Sequence, residues 1–299
     1  MRNTLLIGPA SSGLGHALAG ELGLAAVDAQ VRIFPDGECC VSAEIPEHPG
    51  RVIILQATHP PQDRNLQLLY QLIEAAKHRG ARQIVCVVPY LAYARQDRRS
   101  SASEPLSSQI VVRTLAMLGA DALVTVDVHN PDIFAAVPLQ ATNLAAAPLL
   151  VERLRTVASS NLMLVSPDRG GRRRTRALAE QLGLRFWVYE KTKDDTGRTW
   201  FSSEATVLAG RHAVVVDDLC SSGSTLVPFC RQLLEDGVRR ISICITHMLA
   251  DPTRLRDLLG DNHEIVCTDS VPTAPAAVSL APLIGRHLRE AYLTLESAR

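Results

Sequence analysis

Short apolar runs alternate with amphipathic segments along the whole chain, and this alternation limits the fold more than any other feature. The apolar runs lie at 51–57, 83–90, 122–128, 162–168, 212–218, 241–247 and 264–270. Runs of this length with little polar alternation are typical of strands that are buried on both faces. Stretches with helical periodicity, such as 65–80 and 224–237, lie between them. The pattern predicts an α/β protein with mostly parallel sheets.

The chain also repeats part of itself. The segment "GARQIVCVVPY", which begins at Gly80, resembles "GVRRISICITH", which begins at Gly237. A shared G-x-R-x-I alone could mark an ordinary turn between a helix and a strand. Each copy, however, follows a helix that itself follows an apolar strand and a loop, and this agreement favours duplication. We predict two α/β domains, at 1–143 and 144–299.

Composition and charge exclude several classes of protein. The 31 acidic and 31 basic residues balance, so net charge gives no sign of a nucleic-acid partner. No apolar run reaches the roughly 18 residues that a membrane-spanning helix needs. The N-terminus carries one positive charge and a short apolar run, which does not fit a signal peptide. The seven cysteines include no C-x-x-C pair, which favours reduced thiols over disulfides or a zinc site and predicts a cytoplasmic protein.

The segment "VVVDDLCSSGST" (214–225) carries the strongest functional signal. Asp217 and Asp218 come at the end of an apolar strand, on opposite sides because strand residues alternate. Small residues follow and lead into a helix, where N–H groups and hydroxyls can bind an anion. The two carboxylates could accept hydrogen bonds from the hydroxyl groups of a sugar, while the loop beside them binds a phosphate. The segment therefore predicts a site for a sugar phosphate. The alternative is a plain Asp/Ser-rich loop with a helix cap. The loop residues are Ser221, Ser222, Gly223, Ser224 and Thr225.

The order acid-acid-apolar-x-[ST]-[ST]-G-x-T after an apolar strand resembles the binding motif of phosphoribosyltransferase-fold proteins. Within that group, the chain to about residue 290 resembles the ribose-phosphate pyrophosphokinase family. The resemblance implies two duplicated phosphoribosyltransferase-type, Rossmann-like domains, in agreement with the repeat. It also implies that the loop at 221–225 binds ribose 5-phosphate and that ATP is the second substrate.

Two segments of the first half are similar to nucleotide-contacting elements of that family. They are "FPDGE" (34–38) and "YARQDRR" (93–99). Without the resemblance, the first would be a common Pro-Asp-Gly turn and the second a solvated basic loop. The resemblance implies that the following residues contact ATP: Phe34, Asp36, Gly37, Glu38, Arg95, Gln96 and Asp97.

Candidate metal ligands follow two of the apolar runs. Asp127 and His129 are two residues apart and would share one side of a strand. Asp168 ends a run in the second half. By the resemblance, His129 and Asp168 bind Mg²⁺, and Asp127 lies near a second ion. Imidazole is an unusual ligand for a cation that prefers oxygen, so His129 alone would be read as a hydrogen-bonding residue.

Lysine is rare here, since only three of the 31 basic residues are lysines. Two of them, Lys191 and Lys193, lie in the polar segment "YEKTKDDTGRTW" (189–200). Lys191 matches the lysine of the family's catalytic loop, and we predict both lysines to be catalytic. Lys193 stands where Arg is usual in the family, which removes a bidentate donor. A basic surface loop is the alternative for both residues.

The resemblance implies that the diphosphoryl group of Mg-ATP is transferred to the C1 hydroxyl of ribose 5-phosphate. It also implies a homo-oligomer, either a dimer or a hexamer-type assembly. Two alternatives remain open at this stage. A phosphoribosyltransferase of nucleotide salvage would share the acid-acid-Ser-Gly-Thr loop, and a catalytically weak regulatory subunit would fit the unusual Lys193. The sequence indicates no general base.

Overall fold

The computed structural model describes residues 3–135, 137–155, 161–193, 199–202, 207–260, 263–272 and 278–293. The chain divides into two compact units. The first comprises Met1–Ala145, Ser270–Pro272 and Ser279–Arg299, and the second comprises Ala146–Asp269 and Thr273–Val278. The sequence-based division at 143/144 assigns all later residues to one domain, whereas here the C-terminal segment belongs to the first unit.

The first unit is built on six parallel strands in the order β2-β1-β5-β6-β7-β8. A separate antiparallel hairpin, β3–β4, lies between β2 and β5 in the chain. The elements are β1 (Asn3–Ile7), α1 (Ser12–Leu22), β2 (Ala26–Asp28), β3 (Gln30–Ile33), β4 (Cys39–Ser42), β5 (Arg51–Leu55), α2 (Gln62–His78), β6 (Gln83–Val88), α3 (Ser107–Leu118), β7 (Ala122–Val126) and β8 (Gln140–Leu144). Short 3-10 turns occur at Pro9–Ser11 and Pro131–Phe134.

The second unit has five parallel strands in the order β10-β9-β13-β14-β15. It also carries an antiparallel hairpin, β11–β12. The elements are α4 (Ala147–Arg155), β9 (Leu162–Ser166), α5 (Arg172–Leu182), β10 (Arg185–Val188), β11 (Glu190–Lys193), β12 (Thr199–Ser202), β13 (His212–Cys220), α6 (Leu226–Glu235), β14 (Arg240–Met248), α7 (Pro252–Leu259) and β15 (His263–Cys267).

The two units repeat one topology, which confirms the predicted duplication. In chain order, β9, β10, the β11–β12 hairpin, β13, α6 and β14 correspond to β1, β2, the β3–β4 hairpin, β5, α2 and β6. The repeated glycines end equivalent helices with left-handed backbone, φ being +81° at Gly80 and +80° at Gly237. Each N–H donates to the carbonyl three residues earlier, at Lys77 and Leu234. Only glycine adopts this backbone without strain, which explains why both copies keep it.

The C-terminal helix α8 (Ala281–Leu288) continues as a π-helical turn at Arg289–Leu293. It packs on α1 of the first unit. A Cβ on Gly285 would lie 2.5 Å from Cγ of Glu21, so the two helices approach closely there. Arg289 Nη1 donates to the carbonyl of Glu21 at 2.7 Å. These contacts explain why the helix belongs to the first unit.

The cores lie around the strands, as the apolar runs predict. The first five residues of β13 are buried, and so are all five residues of β7 and of β9. All seven cysteines are free thiols, and five of them are buried. No helix within the described ranges is long and apolar enough to cross a membrane.

Candidate active site

Strand β13 extends two residues past the predicted end, so the acidic pair lies within the strand and not at its last two positions. Its last residue, Cys220, is buried, and its carbonyl accepts from the N–H groups of Leu249 and Ala250 at 2.9 and 3.0 Å. The loop at 221–225 follows, and α6 begins at Leu226. The loop therefore starts from a backbone that is held by the neighbouring strand β14 and the two residues after it.

The loop keeps donors available for an anion. In the described part of the chain, no hydrogen bond uses the backbone N–H of Ser221, Ser222 or Thr225. The Ser222 hydroxyl donates to the Ser224 hydroxyl at 3.2 Å. These groups precede the ten-residue helix α6, whose N-terminus carries partial positive charge. The arrangement fits a phosphate.

Gly223 shapes this loop for two separate reasons. Its φ of +79° is in the left-handed region, which residues with a Cβ adopt at a cost. A Cβ there would also lie 2.5 Å from Cδ2 of Leu255 on α7. Leu255 is itself buried, so it has little room to move away. The glycine is therefore required by both backbone conformation and packing.

The two carboxylates at the end of β13 are not equivalent. The side chain of Asp218 is 8% exposed, whereas that of Asp217 is 43% exposed. Both approach one cation, because Arg174 Nη1 lies 2.8 Å from Asp218 Oδ1 and 3.6 Å from Asp217 Oδ1. The Asp218 N–H also donates to Asp217 Oδ1 at 2.9 Å. The sequence-based hypothesis gives both acids the same role, but Asp217 is the more accessible of the two, although it is itself partly buried.

The acidic pair also changes how Asp217 titrates. Burial, a hydrogen bond with Asp218 and the charge of Asp218 together raise the pKa of Asp217 to about 7, while Arg174 acts in the opposite direction. The nearby Cys220 thiol remains protonated at neutral pH, because burial raises its pKa to about 11. Asp217 therefore changes protonation state near neutral pH.

Sequence reasoning missed Arg174, although a signal for it exists. Arg172, Arg173 and Arg174 are consecutive and form the first turn of α5. Positive charge at a helix N-terminus opposes the helix dipole, so three arginines there call for nearby acidic groups. Only the fold identifies those groups, because α5 follows β9, which pairs directly with β13.

Lys191 lies at the predicted phosphate loop. It belongs to β11, and its Nζ donates to Thr225 Oγ1 at 3.3 Å. The preceding residue, Glu190, accepts from Arg169. Lys193 is the last residue of β11, but its side chain lies outside the described residues, as do residues 194–198 of the same segment. The structure thus brings one of the two predicted catalytic lysines to the loop.

Asp168 follows β9, the strand beside β13. Its Oδ1 accepts from the Gly171 N–H at 3.1 Å, and its carbonyl accepts from the Ser166 hydroxyl at 2.9 Å. A Cβ on Gly171 would lie 2.3 Å from that hydroxyl oxygen, so this turn requires glycine. Because β9 and β13 are parallel neighbours, Asp168 and the acidic pair lie at the same edge of the sheet.

In the first unit, "FPDGE" forms the turn of the β3–β4 hairpin. The Phe34 N–H donates to the Glu38 carbonyl at 2.8 Å, and the Gly37 N–H donates to the Phe34 carbonyl at 2.9 Å. The Arg32 guanidinium lies over the Phe34 ring, 4.7 Å from its centroid. The side chains of Asp36 and Glu38 are exposed. This turn offers an aromatic face and two carboxylates.

The Arg-Gln-Asp element contacts the Asp-Val-His-Asn segment. Asn130 Nδ2 donates to Asp97 Oδ2 at 2.9 Å, so these two loops meet beyond the ends of β6 and β7. Arg95 and Gln96 are exposed. The Gln96 carbonyl accepts from the Ser108 hydroxyl at 2.9 Å, which anchors the element to the start of α3.

The predicted strand positions of Asp127 and His129 are wrong. Strand β7 ends at Val126, and Asp127 has left-handed backbone with φ of +38°. The alternation argument therefore does not apply to them, because they lie in a loop. Their side chains remain accessible, since Asp127 is half-buried and His129 is exposed, with the buried Val128 between them.

The donor chemistry fits Mg²⁺ in part. Asp127 and Asp168 supply the carboxylate oxygens that this ion prefers, whereas His129 supplies an imidazole. Within the described residues, no group of three or more His, Cys, Asp or Glu side chains could hold a metal by itself. Mg²⁺ commonly binds one or two carboxylates and takes its other ligands from substrate phosphates and water. The residues are compatible with an ion that arrives with a nucleotide.

Comparisons with known proteins cover both units. The family model described as the N-terminal domain of ribose phosphate pyrophosphokinase matches residues 4–119, and the phosphoribosyl transferase domain matches residues 139–281. The ribose-phosphate pyrophosphokinase of Methanopyrus kandleri is 34% identical over 271 residues, which covers 90% of this chain and 92% of that protein. The ribose-phosphate pyrophosphokinase of Aquifex aeolicus is 31% identical, and the match covers 95% of this chain and 94% of that protein.

A solved structure agrees with these matches. The crystal structure of phosphoribosylpyrophosphate synthetase from Mycobacterium smegmatis superposes with a TM-score of 0.88 at 25% identity, covering 98% of this chain and all of that one. The predicted fold, two phosphoribosyltransferase-type domains with mostly parallel sheets, is confirmed.

Proposed function

Because the chain belongs to the ribose-phosphate pyrophosphokinase family, we propose that it transfers the diphosphoryl group of Mg-ATP to the C1 hydroxyl of ribose 5-phosphate. The products are 5-phosphoribosyl 1-diphosphate (PRPP) and AMP. The observation that carries the proposal is the end of β13, where an acidic pair and a loop with unused N–H donors lie side by side.

Ribose 5-phosphate binds at this end of β13. The 5-phosphate accepts from the N–H groups and hydroxyls of residues 221–225, with support from the N-terminus of α6. The ribose hydroxyls donate to the acidic pair, chiefly to the more exposed carboxylate of Asp217. Because the acids precede the anion-binding residues by several positions, sugar and phosphate occupy separate parts of one segment.

ATP binds through the two nucleotide-contacting elements of the first unit. Phe34 offers its ring to the adenine, and Asp36 and Glu38 offer acceptors for its exocyclic amine and the sugar. Arg95 offers a bidentate fork for phosphate oxygens. The family match over residues 4–119 supports this assignment, because it covers both elements.

Asp127, His129 and Asp168 are the proposed ligands of Mg²⁺. When bound, the ion would neutralise charge on the phosphates during transfer. The Asp168 carboxylate is prepared for a ligand role by its turn, since the Gly171 N–H fixes Oδ1 and leaves Oδ2 unused by any hydrogen bond of the described residues.

The chemistry requires positioning and charge stabilisation more than covalent participation. The C1 hydroxyl attacks the β-phosphorus in line, and AMP leaves. Lys191 donates to the phosphoryl oxygens as their charge redistributes, and its contact with Thr225 places it beside the bound 5-phosphate beforehand. Lys193 is proposed to assist from the same hairpin.

We test the reaction with purified protein alone, given Mg-ATP and ribose 5-phosphate, by following adenine nucleotides and PRPP chromatographically. AMP should form in equal amount with PRPP. ADP as the product would contradict diphosphoryl transfer. Release of AMP only after a second subunit is added would instead favour a regulatory role, and PRPP consumption with a free base would favour a phosphoribosyltransferase.

A homo-oligomer, a dimer or a hexamer-type assembly, is proposed together with a cytoplasmic location. Two large apolar side chains support an assembly, since Ile110 is 55% and Met117 is 84% exposed. They lie seven residues apart on α3 and thus on one face. Light scattering coupled to size-exclusion chromatography measures the mass, and a monomer across micromolar concentrations would contradict the assembly.

A further inference from the structure

We infer that Arg174 is a positioning residue for ribose 5-phosphate, holding the Asp217–Asp218 pair in the arrangement that accepts the ribose hydroxyls. The inference rests on the proposed function and deepens it. Arg174 has no assigned role in the sequence-based reading, yet its Nη1 is the group that approaches both carboxylates, at 2.8 Å from Asp218 and 3.6 Å from Asp217.

The two aspartates differ in solvent exposure, and this difference indicates separate roles: Asp218 pairs with Arg174, and Asp217 accepts from the ligand. Asp218 is 8% exposed, so its charge needs a partner, and the shorter contact with Arg174 supplies one. Asp217 is 43% exposed and makes the longer contact, so it keeps lone pairs for a ligand. A hydrogen bond from the Asp218 N–H to Asp217 Oδ1 fixes one oxygen of the acceptor. The cation therefore orders Asp218 directly and holds Asp217 within the same cluster.

The location of Arg174 supports a specific role over a solvated one. It is 36% exposed and lies in the first turn of α5, where a cation opposes the helix dipole. The acidic pair on the adjoining strand offsets that unfavourable position. Arg176, two residues later, differs because it is 60% exposed and pairs with Glu180 of its own helix at 2.8 Å. Arg176 is thus a matched control on the same helix.

Removal of Arg174 should change how the pair titrates. The groups that face Asp217 are the Asp218 carboxylate, the Arg174 guanidinium and the neutral Cys220 thiol. Without the guanidinium, two adjacent carboxylates remain, and the pair retains a proton to higher pH. A protonated carboxyl offers fewer acceptors to the ribose hydroxyls, so binding of ribose 5-phosphate weakens most at lower pH.

The experiment compares Arg174→Ala, Arg174→Lys and Arg176→Ala between pH 6.5 and 8.5. Arg174→Ala should raise KM for ribose 5-phosphate by about tenfold or more, which corresponds to about 1.4 kcal/mol. KM for ATP should change little, and the rise of kcat/KM with pH should shift to higher pH. Arg174→Lys keeps the charge but not the planar guanidinium, so it should restore the pH profile and lower the raised KM only in part. Arg176→Ala should match the parent.

The result that overturns the inference is an Arg174→Ala protein whose KM for ribose 5-phosphate and pH profile equal those of the parent, even if its Tm falls. If Arg174→Ala does not fold, Arg174→Lys decides, because a KM equal to the parent's in that variant also contradicts a positioning role that depends on the guanidinium. Failure of the proposed function is distinguishable, since the parent would then release no AMP at any pH.

Discussion

The loops after β5 and β13 leave equivalent strands of the two units, yet they use their polar groups in opposite ways. In the second unit, the loop at 221–225 keeps N–H groups that no hydrogen bond of the described residues uses. In the first unit, Gln56, Ala57 and Thr58 after β5 are held by hydrogen bonds to neighbouring protein groups. Equivalent strand ends therefore differ in how far the protein itself uses their polar groups.

Gln56 shows how the first unit satisfies its loop. It is fully buried, its Oε1 accepts from the Ala10 N–H at 3.2 Å, and its Nε2 donates to the Asn65 carbonyl at 3.3 Å. A Cβ on Gly8 would lie 2.1 Å from that Oε1, so the loop after β1 packs directly on this amide. The hydroxyl of Thr58 likewise donates to the Tyr90 carbonyl at 2.9 Å.

The difference teaches that duplication supplied the scaffold, while small local changes decided the chemistry. Gln56 is a neutral side chain that can both donate and accept, and it ties the end of β5 to the turn after β1 and to the first turn of α2. Asp217 and Asp218 can only accept when ionised, so they need a cation and a ligand with donors.

The largest effect is expected in the β11–β12 hairpin, whose Lys191 contacts the loop at 221–225. Lys191→Ala should lower kcat by at least ~10²-fold, because it removes a cation that stabilises charge in the transition state. Steady-state assays of AMP release measure it. Lys77→Ala, at an exposed lysine of α2, is the control and should keep the parental kcat. A kcat within threefold of the parent would refute the catalytic assignment of Lys191.

The loop itself should be nearly as sensitive. Gly223→Ala introduces a Cβ at φ of +79° and 2.5 Å from Leu255, so the loop must shift. We expect a roughly tenfold or greater loss in affinity for ribose 5-phosphate, since left-handed backbone alone costs about 1–2 kcal/mol. Isothermal titration checks it. Gly13→Ala, in helix α1 with open space around the new Cβ, should bind normally. Normal binding by Gly223→Ala would contradict the loop assignment.

Gln56→Glu tests whether the loop after β5 has a structural role and not a ligand-binding one. It removes the donor to the Asn65 carbonyl and places a carboxylate in a fully buried position. The free energy of unfolding should fall by about 1–3 kcal/mol, by urea denaturation. KM for ribose 5-phosphate should stay within twofold of the parent in the remaining folded protein. A selective rise of that KM would instead place this loop in the sugar-phosphate site.

Binding of ribose 5-phosphate should release protons near neutral pH. The pKa of Asp217 is raised to about 7, so its carboxyl is partly protonated there. Hydroxyl donors favour the ionised form, so binding lowers this pKa and affinity rises as pH increases through 7. Calorimetry in buffers of different ionisation enthalpy counts the protons. Asp217→Asn should lose this part of the release and keep the part due to the ligand's own phosphate. Equal release by both proteins would exclude Asp217 as the source.

The smallest effect is expected at Lys193. Lys193→Arg restores the residue that is usual in the family and adds a bidentate donor, so activity should be equal or up to a few-fold higher. The same AMP assay at saturating substrates measures it. A clear loss would mean that this hairpin holds its ligands in a geometry of its own.

The sequence by itself determined the α/β class, the duplication and the presence of a small-residue loop between β13 and α6. Each follows from local physics: apolar runs of strand length, glycines that end equivalent helices, and a Ser/Gly/Thr loop between a strand and a helix. The position of Asp168 after an apolar run was also predictable, because strand boundaries are marked by the change from apolar to polar residues. Lys191 was expected in a loop and lies in strand β11 instead.

Only the tertiary structure decided which partners the acidic pair has and how deeply each carboxylate is buried. Arg174 lies more than 40 residues before Asp217 and meets it because β9 and β13 are neighbours in the sheet. Alternation also failed at Asp127, because β7 ends one residue earlier and the backbone turns left-handed there. The burial that separates Asp218 from Asp217 depends on elements distant in sequence. Residue pattern fixes which groups reach a strand end, whereas packing fixes their charges, partners and access to ligand.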